Sequence, residues 1–183
     1  MLNLFFRFLL AFNATALILI VYVVKQGIVL DCIDKKLPHL PHLVTYTCYI
    51  LCLLALTFLS LLISRALPTD NISTGGHGSV IEIEQANNAY LPTYLGYFFV
   101  GLDVPDNPTL VFVFVLLFVF TFLSQALYFN PLFLIFGYHF YYLTTSSSVK
   151  IFVITKKSLK RPSTIRFHNL KRINDFTFID NEK

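Results

Sequence analysis

Charge is scarce in this chain. Asp, Glu, Lys and Arg supply 13% of 183 residues, about half the ~25% of an ordinary soluble domain. Tryptophan is absent, methionine occurs once and cysteine three times. With 56% hydrophobic residues, 20 phenylalanines and a mean hydropathy of +0.67, this scarcity excludes an ordinary soluble domain and fits a small polytopic membrane protein.

Chemistry-bearing patterns are scarce too. His39 and His42 stand in a polar loop with Asp31, Cys32 and Asp34, but their spacing matches no metal site. They read as loop residues near a helix end. "TGGHGS" (74–79) is glycine-rich, yet no Lys-Ser/Thr and no helix follow it, so it is not a phosphate cradle. Cys48 and Cys52, four residues apart on one helix face, read as small packing residues. No catalytic residue, metal ligand or cofactor site is expected, and the chain reads as a non-enzyme. The apolar runs carry no Asp, Glu, Lys or Arg apart from Arg7 at the edge of the first. The charges or broken helices of a coupled transporter are therefore missing. Asn13, Ser124 and Gln125 read as helix–helix glue. His139, near a helix end among Tyr138, Tyr141 and Tyr142, reads as a hydrogen-bonding group rather than a proton relay.

What is present is a set of long apolar runs: 8–24 "FLLAFNATALILIVYVV", 43–64 "LVTYTCYILCLLALTFLSLLIS" and 110–129 "LVFVFVLLFVFTFLSQALYF". Each is long enough to cross a ~30 Å hydrocarbon core as a helix. A fourth run, 131–143 "PLFLIFGYHFYYL", is shorter, and Asn130-Pro131 separates it from the third. Proline breaks a helix, so runs three and four read as a hairpin of two helices. No small-x-small cleavage site follows Val24, so the first run reads as a retained span rather than a signal peptide.

The expected fold is therefore an α-helical membrane protein of four transmembrane helices with a small cytoplasmic β-rich element. Residues 1–64 hold the first two helices and an external loop at 25–42. Residues 65–108 form a cytoplasmic segment, 109–148 the helical hairpin with its 129–131 turn outside, and 149–183 a basic cytoplasmic β-rich tail. Nine Lys and Arg against three acids give the tail a net of +6, leaving −2 for the rest of a +4 chain. Positive charge favours the cytoplasmic side, so both termini are expected there. The segments "GSVIEIE" (78–84), "VKIFVIT" (149–155), "TIRFHNL" (164–170) and "DFTFID" (175–180) read as strands of one small sheet. Between them, "YLPTYLGYFFVGL" (90–102) reads as an aromatic platform at the membrane surface, a re-entrant loop being the alternative. Tyr94 and Tyr97 suit an interface. Lys156, Lys157, Lys160 and Arg161 fall within six residues at a turn and, with those tyrosines, form the expected partner-docking surface.

The stretches "IEIEQANNAYLPTYLGYFFVGL", "YFNPLFLIFGYHFYYLTT" and "KIFVITKKSLKRPSTIRF" resemble the KwaA family, membrane subunits of the bacterial Kiwa anti-phage defence system. The resemblance implies a homo-oligomeric (tetrameric) inner-membrane sensor or scaffold that recruits a soluble, nucleic-acid-binding KwaB-like partner in the cytoplasm. Nucleic acid would be met only through that partner. It carries no catalytic residue onto this chain. Two other readings stand beside it: an oligomeric pore-forming effector or small channel, and direct binding of membrane lipid or nucleic acid by the basic tail.

Overall fold

The computed structural model describes residues 2–30, 41–70, 80–87, 91–124, 130–162, 165, 167 and 169–182. It contains α1 (Leu2–Lys25), α2 (Pro41–Ser64), β1 (Val80–Gln85), α3 (Leu91–Asp103), α4 (Asn107–Ser124), α5 (Leu132–Ile135), β2 (His139–Thr145), β3 (Lys150–Thr155), β4 (Leu170–Arg172) and β5 (Thr177–Asp180). Three of these helices, α1, α2 and α4, are long and apolar enough to cross a membrane.

α1 is the hub of the bundle. Half of its apolar window is buried, against 28% for α2 and 11% for α4. The side-chain contacts fix the directions. Phe8 meets Phe118 with ring centroids 4.9 Å apart, Phe12 meets Phe114 at 5.9 Å, and the Tyr22 hydroxyl donates to Asn107 Oδ1 at 2.9 Å. α4 therefore runs antiparallel to α1. So does α2, because Asn13 pairs with Thr57 and the Tyr46 hydroxyl donates to the Val24 carbonyl at 3.3 Å.

α3 occupies the stretch expected to form a surface platform, and it packs lengthwise on α1. Gly101 lies against Ile18 and Val21, and Lys25 Nζ donates to the Val104 carbonyl at 2.8 Å. The C-terminal end of α3 thus sits beside the C-terminal end of α1. Asp106 then caps α4, its Oδ1 accepting Thr109 N–H at 2.8 Å, and Pro108 falls in the first turn, where its missing N–H costs nothing. The helices form a bundle whose far end holds residues 26–28 and 104–106. Its other end meets the sheet.

The sheet has the order β1-β2-β3-β5-β4. β1, β2 and β3 pair antiparallel, β3 and β5 parallel, and β5 and β4 antiparallel. Side chains alternate between its faces. Phe140, Phe152, Ile154 and Ile179 enter a core shared with Phe6 and Leu10 of α1, Leu61 of α2 and Phe133 of α5. Tyr141, Leu143, Ile151, Val153 and Phe178 pack on the other face with Phe167 and Leu170. The near end of the bundle and one face of the sheet thus share a core.

The fourth expected helix is not formed. Residues 131–143 give the four-residue α5 and then β2. Gly137, at φ +75°, ends the helix, in a conformation that only glycine adopts freely. Beyond it the centre of β2, Phe140–Leu143, packs on both faces and is aromatic or apolar at every position, and periodicity alone cannot tell such a run from a helix. α4 ends at the sheet, so Asn130 and Pro131 stand at the sheet end of the bundle, not at the opposite end. His139 is a strand residue whose Nδ1 lies 3.3 Å from Asn87 Nδ2, and it belongs to no span.

Other expectations fare variously. "GSVIEIE" yields β1 from Val80, "VKIFVIT" yields β3 and "DFTFID" yields β5. Of "TIRFHNL", Thr164, Arg166 and His168 lie outside the described residues and Leu170 opens β4; "TGGHGS", Gln125, His39, Cys32, Asp31 and Asp34 also lie outside them. His42 stacks on Tyr46, with centroids 5.8 Å apart. Cys48 is half-buried and Cys52 exposed on the bundle surface, so neither fills the core.

Candidate partner-docking surface

The six residues expected to form one docking surface are split between two places. Tyr94 and Tyr97 lie on α3, their rings 5.8 Å apart. Tyr97 is buried against Ile18 and Tyr22, with its hydroxyl 3.3 Å from Thr121 Oγ1. It holds helices together and presents no open face. The four cations lie beyond β3, at the sheet.

Those four cations differ among themselves. Lys157 is structural. Its Nζ lies 3.2 Å from both Asp180 Oδ2 and Glu182 Oε2. Asp180 is fully buried and also accepts from Thr155 Oγ1 at 3.1 Å. Burial pulls the Lys157 ammonium down, but the hydrogen bonds and charges of the two carboxylates outweigh it, and its pKa is raised. Lys156 turns instead to the ring of Tyr138, 4.8 Å from its centroid. Lys160 and Arg161 are exposed. The turn therefore offers Lys160 and Arg161 outward, while Lys157 locks β3 to β5.

A polar junction that the sequence did not reveal joins α2 to the sheet beside these cations. Asn181 Oδ1 accepts from Ser64 Oγ and from the Tyr138 hydroxyl, both at 3.2 Å. Ser64 ends α2, Tyr138 directly precedes β2 and Asn181 follows β5. Burial pushes the Tyr138 phenol up, Arg65 opposes that, and Asp180 adds to it. The partners lie 43 and 117 residues apart in sequence, so no local motif announces them. At the other edge Lys150 pairs with Glu84 at 2.6 Å and caps the Tyr142 ring at 4.6 Å.

Among the described residues no group of three His, Cys, Asp or Glu side chains converges to hold a metal. No curated protein and no solved structure matches the chain. Residues 6–179, nearly the whole chain and including both the bundle and the sheet, match the family described as anti-phage protein KwaA, and the chain belongs to that family.

Proposed function

We propose that the chain is a non-enzymatic, membrane-embedded sensor and scaffold in anti-phage defence, with the sheet in the cytoplasm recruiting a soluble protein partner. The family supports the defence role. The observation that carries the scaffold reading is the shared core, in which Phe6, Leu10 and Leu61 of the long helices pack with Phe140, Phe152 and Ile179 of the sheet. Such a core cannot deform smoothly. A displacement of the helices within the bilayer is therefore passed to the sheet rather than lost in a linker. Both termini belong to the sheet end. The basic tail supports a cytoplasmic location for that end, in a bacterial inner-membrane protein.

Lys160 and Arg161 are the docking cations in this reading, facing an acidic or phosphate-rich surface of a KwaB-like partner. Charges at an interface rim mostly set the association rate and its salt dependence. The test is capture of the soluble partner from the same defence system by the full chain, purified in mild detergent. Wild-type capture should slow as salt rises. A Lys160→Ser/Arg161→Ser variant should capture several-fold more slowly at low salt, with a flatter salt dependence. Equal rates and equal salt dependence would remove this turn from the contact. Ion conductance by the purified chain without partner would favour the pore reading instead.

A further inference from the structure

We infer that Arg65, Lys156 and Tyr138, together with the apolar rim formed by Ile135 and Phe136, make a binding site for an anionic phospholipid at the sheet end of α2. The inference rests on the membrane reading proposed above. α2 has 24 residues, about 36 Å of helix, and Arg65 follows its last residue. An arginine directly beyond a span stands at headgroup depth. Arg65 is exposed and directly follows Ser64, whose hydroxyl shares the Asn181 Oδ1 acceptor with the Tyr138 hydroxyl, both at 3.2 Å. Lys156 lies over the ring of the same tyrosine, 4.8 Å from its centroid. Two cations thus flank one aromatic ring at the end of a span.

Neither cation forms an ion pair with a described carboxylate. The nearby acids are otherwise engaged, since Asp180 and Glu182 both hold Lys157. Three cations (Arg65, Lys156, Lys157) against these two carboxylates leave the junction at +1. Below the cations lies an apolar surface. Phe136 packs on Phe58 of α2, centroids 5.9 Å apart, and Phe58 is six residues, about 9 Å of helix, deeper than Ser64. Ile135 beside it is 66% exposed. α5 and its flanks therefore reach down along the last turns of α2 and leave a large aliphatic side chain uncovered. Cations above and hydrocarbon below, at one edge of the bundle, match a lipid whose phosphate meets Arg65 and Lys156 and whose acyl chain lies on Ile135 and Phe136. A soluble phosphate compound would use only the upper half.

The test uses the full chain in nanodiscs of phosphatidylcholine doped with phosphatidylglycerol, the lipids retained on release being counted by native mass spectrometry. The wild type should retain phosphatidylglycerol in clear excess over its share of the disc. Arg65→Gln/Lys156→Gln should weaken that retention about 30-fold, the factor two cations near an anionic surface are worth. Each single variant should weaken it about fivefold. Lys171→Gln, on β4, should leave it unchanged. Retention that mirrors the disc composition in the wild type overturns the proposal without any variant, so misfolding of the double variant cannot rescue it. Equal loss in Lys171→Gln overturns it as a general charge effect. Displacement of the lipid by soluble glycerol phosphate overturns it in favour of a free-phosphate site. Failure to enter discs at all sinks the membrane reading as well, whereas insertion without lipid preference sinks only this one.

Discussion

Asn13 of α1 and Thr57 of α2 face each other inside the bundle, the Asn13 amide donating to Thr57 Oγ1 at 3.0 Å with both residues at 1% exposure or less. Thr57 also turns its hydroxyl to the Leu53 carbonyl at 2.9 Å. Where water is excluded, such a pair fixes the register of two otherwise interchangeable apolar helices. Interhelical hydrogen bonds in membranes contribute about 0.6 kcal/mol on average and up to ~2. Asn13→Leu and Thr57→Val should each cost about 1 kcal/mol. Their double variant should cost less than the two summed, because the second change removes a partner that is already orphaned. Thermal unfolding in detergent across the four proteins measures the coupling.

Among the described glycines, Gly101 is the one with no room for a side chain. A Cβ there would meet Val21 Cβ and Cγ1 at 2.9 Å and the Ile18 carbonyl at 3.1 Å. Gly101→Ala should lower stability by about 1–3 kcal/mol, the usual cost of overpacking. Adding Val21→Ala removes the Cγ1 clash but leaves those with Val21 Cβ and the Ile18 carbonyl. Rescue should be partial, and the melting temperature of the pair should fall between those of the single variant and the wild type.

The position of the α3–α4 turn yields a topological expectation. Pro105 lies at the Lys25 end of the bundle, since Lys25 holds the Val104 carbonyl and Tyr22 holds Asn107. Single cysteines placed at Gln26 and Pro105, with Cys32, Cys48 and Cys52 changed to Ser, should react with an impermeant maleimide on intact cells. A cysteine at Ser158, on the sheet, should react only after lysis. Opposite labelling of Gln26 and Pro105 would break the assignment of both to the far end.

The long helices were legible because 17–22 uncharged apolar residues have few other uses. The tail strands were legible as short β-branched runs between turns. β2 was not, for a physical reason. Phe140 and Tyr142 serve one core while Tyr141 and Leu143 serve another, so the polar alternation that marks a surface strand is absent. The signals against a fourth span were the shortness of the 131–143 run and Gly137, and glycine alone is weak evidence. α3 misled in a related way. Its 13 residues fall short of a full crossing at about 20 Å, which pointed to the surface, yet they pack along the central helix and end at its far end. Of the candidate site, the cations were visible as charge, but the contacts of Lys157 with Asp180 and of Lys156 with Tyr138 are ones that only the fold supplies.

That difference among neighbouring lysines is itself testable. Lys157→Ser leaves the fully buried Asp180 with Thr155 Oγ1 and the Glu182 backbone N–H as partners but without a counter-charge. Removing one member of a buried ion pair costs about 3–5 kcal/mol, and the partial exposure of Lys157 places its loss near the lower figure. Lys160→Ser, one turn away and exposed, should change stability by less than about 0.5 kcal/mol. Asp180→Asn should restore much of the stability lost in Lys157→Ser, because the uncompensated charge is gone while an oxygen still accepts from Thr155. The raised Lys157 pKa sets the pH window. The contribution is fully present below the unfolded lysine value near 10.5 and fades as pH rises through the higher folded value. The stability gap between wild type and Lys157→Ser should therefore be flat from neutral pH to about 10 and close only in stronger alkali. A gap that closed on acidification above pH 5 would assign the effect to some other group.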